Sequence, residues 1–283
     1  MIRLVPKLLK TALAGWWNDR ALSLGAAISF YTLFSMAPAL LIVVSVAGLI
    51  YGRDAAQGAI VNEIGGLIGT EPAAAIEAMI ASASDFGSSV VGTIVGFTIF
   101  LFLATGALVE LQDDLNIIWK APPPQKSTII VLLRTRLLSL TLVVAIGFVL
   151  LVSLILDAGL SALIAYVPNV LPRSEALVFI LNSAFALGMA SLLFALIFKV
   201  LPDVAIGWRD VMVGAILTGF LFTLGKFLIG LYIGRSGVAS SYGAAGSLVT
   251  ILIWIYYSSQ ILLFGAEFTK AFADHRRKGA EPE

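Results

Sequence analysis

The sequence predicts an all-α polytopic membrane protein, with six transmembrane helices and short amphipathic helices at the interfaces. Two observations carry this. Hydrophobic residues make up 59% of the 283 residues and charged residues 12%, with a mean hydropathy of +1.00. Soluble chains run at about 45–50% apolar and about 25% charged, so this chain lacks the polar surface to cover a water-soluble globule. Its apolar residues also gather in runs of the length that a hydrocarbon core of about 30 Å requires, about 20 helical residues each.

Six such runs follow one another at 21–50, 90–111, 129–156, 176–198, 211–233 and 248–265. The first and third exceed one crossing, which predicts tilt, a kink or an interfacial extension. Pro38 is the kink candidate in the first, because proline removes a helix hydrogen bond. The first run is also too long for the core of a secretory leader, so no cleaved signal is expected. The chain then reads as a single membrane domain: an in-plane helix over 1–20, a six-helix bundle over 21–265 and a tail over 266–283, disordered from Asp274 to Glu283.

Residues 2–18 mix Arg3, Lys7 and Lys10 with Leu4, Leu8, Leu9, Trp16 and Trp17. That pattern suits a helix lying on an anionic leaflet with its tryptophans at headgroup depth, or equally a set of flanking anchors. Between the first two runs, Ile60, Ile64, Leu67 and Ile68, then Ile76, Met79 and Ile80, recur at helical spacing among the acidic Asp54, Glu63, Glu71, Glu77 and Asp85. Two short amphipathic helices divided near Thr70–Pro72 are predicted, lying on the outer leaflet or capping the bundle.

Fourteen of the eighteen Lys and Arg residues fall on one side of this threading, from Arg3 to Arg20, Lys120 to Arg136, at Lys199 and Arg209, and from Lys270 to Lys278. The bias predicts a multi-pass protein with cytoplasmic N- and C-termini.

Composition excludes several function classes. A net charge of +1 leaves no general basicity for nucleic acid. With no cysteine and with His275 as the one histidine, thiolate chemistry, histidine catalysis and zinc sites lose their usual groups. No H-E-x-x-H and no G-x-x-x-x-G-K-[ST] occurs. The sequence therefore assigns no catalytic residue, no metal ligand and no cofactor, and the chain is not expected to be an enzyme.

The polar residues inside the runs are the candidate site. Lys226 sits in the fifth run, where a buried ammonium costs about 2.5–3.5 kcal/mol at mid-helix and usually faces a partner or cavity. It reads either as a cation lining a path for an anionic substrate or as a lysine snorkelling to the outer headgroups, about 10 Å away at Ile233. Tyr31 with Ser35, and Tyr256 with Gln260, share helix faces at i, i+4. With Trp254 and Tyr242 they form either a polar-aromatic seam for an amphiphile's headgroup or packing with satisfied hydroxyls. For Gln260 the preferred reading is an interhelical hydrogen bond. The small, hydroxyl-rich stretch 240–247 reads as irregular backbone lining a cavity or as a plain turn. Glu110 and Glu267 end the second and sixth runs and are candidates for ion or proton coupling, though helix-end carboxylates at an interface need no such role. Gly92 with Gly96, and Gly230 with Gly234, form small-xxx-small pairs that permit close helix approach within or between subunits.

Several stretches together resemble the BrkB/YihY family of bacterial inner-membrane proteins. They are residues 26–38 (AAISFYTLFSMAP), Asn116 to Trp119, Leu201-Pro202-Asp203 with Trp208-Arg209 and Gly214-Ala215, residues 241–247 (SYGAAGS), and Leu252 to Tyr257 with Leu263 to Glu267. The resemblance implies six helices, a bacterial inner membrane and a link to envelope integrity and serum resistance, with movement of lipids or lipid-linked precursors suggested for some members. The family's old label, ribonuclease BN, finds no support in these residues, which offer neither a metal-binding carboxylate cluster nor a basic groove.

The expected function is transport or flipping of an amphiphilic, anionic lipid or lipid-linked precursor. The alternative is a non-transporting scaffold for an envelope complex, docking through the acidic outer loop. Membrane lipids are the expected partners, with either a second copy or an envelope protein, and no nucleic acid. An intramembrane serine hydrolase pairing Lys226 with Ser247 is the remaining and weakest reading.

Overall fold

The computed structural model describes residues 4–68, 70–83, 90–122, 137, 141–142, 144–148, 175–236 and 245–278. Eight helices are described in full: α1 (Leu4–Asn18), α2 (Ala21–Tyr51), α3 (Arg53–Ile68), α4 (Thr70–Ala83), α5 (Val90–Trp119), α6 (Glu175–Val200), α7 (Trp208–Ser236) and α8 (Gly246–Lys278). No strand occurs among the described residues. Four stretches there are long and apolar enough to cross a membrane: Ala21–Leu49, Ser183–Val200, Trp208–Lys226 and Gly246–Lys278. α5 covers the second expected crossing. Of the third, only 137, 141–142 and 144–148 are described, with Leu142 buried in the core and Gly147 close against Val43 of α2.

Apolar residues point outward as well as inward. On α7, Ile216, Phe220, Leu224 and Leu228 recur every fourth residue and are all exposed, while Val211, Ala215 and Thr218 on the opposite face are fully buried. A helix in water reverses this, and an apolar outer stripe is what hydrocarbon solvates at no cost. In such a solvent close packing, rather than expulsion from water, holds the helices together.

α2 runs unbroken through Pro38, which cannot donate to a carbonyl one turn earlier. It stops at Gly52, whose φ of 83° is the left-handed geometry that glycine adopts without penalty. The chain then turns back as α3 and α4, divided where the sequence predicts. α4 caps the bundle and is no surface helix: Ile76 and Ile80 are buried against Leu33 and Leu41 of α2 and Ile251 and Ile255 of α8. Toward the other end, hereafter the polar end, Leu111, Leu115 and Ile118 of α5 pack with Phe194 and Phe198 of α6, Val211 and Ala215 of α7, and Leu263 and Ala266 of α8.

The tail expected over 266–283 is corrected as far as Lys278. α8 continues to that residue, because Phe268 and Ala271 are buried against Leu8 and Ala12 of α1. Its last turn carries Arg276, Arg277 and Lys278, cations that suit the negative end of a helix dipole. Residues 279–283 lie outside the described residues. α1 is helical as predicted, and it docks on α8 through Leu8 and Ala12.

Candidate functional site

The site is built on the α7–α8 seam. Gly214 and Thr218 of α7 face Thr269 and Gly265 of α8 in antiparallel order, so each threonine lies over the other helix's glycine. A Cβ on either glycine would overlap the facing threonine hydroxyl. Both hydroxyls are spent inside their own helices, Thr218 donating to the Gly214 carbonyl and Thr269 to the Gly265 carbonyl, each at 2.7 Å. Two turns farther along α7, Gly225 receives the Tyr257 ring in the same way.

α1 lies across one flank of this seam. Gly15 leaves room for the Glu267 carboxylate, which is 3% exposed with Oε1 unpartnered. Beyond this contact the three helices diverge into an open groove of about 340 Å³. Leu13, Leu221, Leu224, Leu228, Ile261 and Phe264 make its walls apolar, and Trp16, Tyr257 and Gln260 supply its polar atoms. Gln260 reaches through a notch at Gly25, where its Nε2 donates to the Ala21 carbonyl at 3.3 Å. Its Oε1 is buried without a partner, and so is the indole Nε1 of Trp16. An unpaired buried acceptor or donor costs about 1–3 kcal/mol, and both of these atoms are buried behind the groove wall.

The polar end is tied by side chains. Asn116 of α5 clasps the turn after α6: its Nδ2 donates to Asp203 Oδ2 at 2.8 Å, and its Oδ1 accepts from the Asp203 backbone N–H at 2.8 Å. Gln112 adds a bond to the same Oδ2 at 3.2 Å. Lys120 donates to Asp19 at 2.7 Å, fixing the α1–α2 junction to the end of α5. Arg276 pairs with the buried Asp210 at 2.8 Å. Asp114, past the apolar stretch of α5, is 2% exposed with Oδ2 unpartnered. Burial, joined by the Glu110 and Asp113 carboxylates, pushes its carboxyl up from an ordinary 3.8 to about 7.

The residues singled out in the sequence are not gathered at one place. Among the described ones, Gln260 alone lines the groove, and its bond to Ala21 is the interhelical link its depth predicts. Tyr31 is exposed and lies near Gly106 of α5, while Ser35 is buried and bonds to the Thr32 carbonyl of its own helix. Trp254 meets Phe222 of α7 edge-on at 6.0 Å between ring centres, and Tyr256 is half-buried on α8. Lys226 is exposed on α7, next in sequence to groove-lining Gly225. Glu110 is half-buried one turn before Asp114, and Glu267 sits beneath α1. Tyr242 and residues 237–244 lie outside the described residues, as does the detail around Gly92, Gly96, Gly230 and Gly234. No group of three metal-ligating side chains occurs among the described residues.

Trp16, Tyr257 and Gly225 escaped the sequence reading as site residues. The available signal was the glycine four residues before a threonine in each of the last two helices, which marks where they come closest.

Comparison with known proteins agrees with this architecture. The family described as Virulence factor BrkB matches residues 12–283. A UPF0761 membrane protein of Rhodospirillum centenum is 26% identical over 274 residues, 95% of this chain. One of Pseudomonas aeruginosa is 28% identical over 251 residues, 88% of this chain. The chain spans 58% of the length of both. No solved structure matches it.

Proposed function

The chain belongs to the BrkB virulence-factor family of membrane proteins, and from that premise we propose that it binds a membrane amphiphile in the α1–α7–α8 groove and carries it between leaflets. One observation supports this above the rest: a laterally open groove has leucine walls and carries Trp16, Tyr257 and Gln260 along its lining. Acyl chains match the leucine walls, and the three polar-bearing side chains lie beside the headgroup. The Lys and Arg bias supports an inner-membrane protein with its polar end in the cytoplasm, so that this headgroup enters from the inner leaflet. No nucleotide-binding loop stands in the sequence, so movement is facilitated, ion-coupled or driven by a partner.

The test is transbilayer movement of labelled phospholipids and lipid-linked sugars in liposomes holding the purified chain. Movement above protein-free liposomes is expected, with Gln260→Leu slowing it about fivefold through loss of one polar contact. No movement of any of these lipids overturns the reading and favours the non-transporting scaffold.

A further inference from the structure

A second groove, of about 500 Å³, opens between the start of α7 and the end of α8. We propose that it is a resident site for one anionic phospholipid, whose phosphate is held by Arg209 and Arg276 and whose acyl chain lies over Met212, Val213 and Phe272. This site is separate from the α1–α7–α8 groove and does not depend on lipid movement there.

Four features carry the assignment. Arg209 is exposed and takes part in no ion pair among the described residues. Arg276 uses one nitrogen, Nη2, on Asp210 and keeps a side chain 47% exposed, so it has donors left over while the pair holds it in position. Gly207 stands close against both Asp210 and Arg276, leaving space for that pair where a larger residue would press on it. Lys199, anchored on the Ile206 carbonyl at 2.5 Å, lies 5.4 Å from the centre of the Trp208 ring and adds positive charge beside it.

Of these three cations, Arg276 alone is in an ion pair among the described residues, with Asp210. The surplus is positive, and it sits where the apolar span Trp208–Lys226 begins, with an exposed tryptophan at that depth. Free phosphate would satisfy the arginines and leave Met212 and Val213, both exposed, uncovered. A lipid with a phosphate headgroup covers both parts, and a zwitterionic headgroup brings a cation of its own against the arginines.

The experiment uses the whole chain in phosphatidylcholine nanodiscs containing a minority of chain-brominated phosphatidylglycerol or, in parallel, the same fraction of brominated phosphatidylcholine. Quenching at Trp208 is read as the difference between the wild type and Trp208→Phe. The glycerol lipid is expected to quench as though enriched about fivefold over the choline lipid. Arg209→Gln should remove most of that preference and Arg209→Lys should keep part of it. Arg20→Gln, which removes one charge elsewhere at the same end, should leave it intact. Equal quenching by the two lipids overturns the proposal, and so does equal loss in Arg209→Gln and Arg20→Gln. Displacement by millimolar inorganic phosphate alone also overturns it, because the site then recognises an anion and not a lipid.

Discussion

Thr218 of α7 rests in the space that a side chain on Gly265 of α8 would occupy, and its hydroxyl is bonded to its own helix. The contact is therefore steric. It brings two backbones close without a bond between them, and the partner contact of Thr269 over Gly214 repeats it one turn away. Gly265→Ala should cost about 1–3 kcal/mol of unfolding free energy by overpacking. Combining it with Thr218→Ala should cost less than the sum of the two, which a double-mutant cycle in detergent unfolding would measure.

Asn116 holds Asp203 with both ends of its amide. Asn116→Leu leaves the Asp203 backbone N–H without that acceptor and should lower stability by about 1–3 kcal/mol. Asn116→Asp should do worse still, since it sets two carboxylates face to face. Thermal unfolding of the two variants checks both outcomes.

The native fold holds the Asp114 proton more tightly than the unfolded chain does, with a folded value of about 7 against 3.8. Its stabilising contribution is complete below 3.8 and is lost as pH rises through 7. Asp114→Asn should therefore flatten the fall in stability across that window and be the more stable protein at about pH 8. A midpoint of unfolding followed against pH reads this directly.

Lys226 and Gln260 offer a contrast. Lys226 is exposed on α7, whereas Gln260 lines the groove. Lys226→Ala and Lys226→Arg should both insert and retain lipid movement, while Gln260→Leu slows it in the same liposome assay. Loss of movement in Lys226→Ala with retention in Lys226→Arg would return the lysine to the pathway.

Helix existence was readable because hydropathy reports what each segment dissolves in, and the α3–α4 division was readable because Thr70–Pro72 punctuates an apolar period. Partner choice was not. Tyr31 and Ser35 share a face with no more than local pattern to say which helix that face meets; Tyr31 lies near α5, and Gln260 instead finds the first turn of α2. The charged run after Asp274 reads as a loose tail by composition. Its helical form as far as Lys278 comes from α1 docking on Phe268 and Ala271 and from the Arg276–Asp210 pair, distant contacts that no local window contains. The close approach at Gly214 and Gly265 leaves no glycine-pair pattern, because the facing member of each contact is a threonine on the other helix.

α8 is 33 residues long without a proline, about 50 Å of rod against about 30 Å of hydrocarbon. Arg276 and Gln260 ride on that same shaft, about 24 Å apart along its axis. A push or a twist given to the protruding segment reaches the Gln260 amide with no hinge in between to absorb it, so whatever grips the helix outside the bilayer has a lever on the groove within.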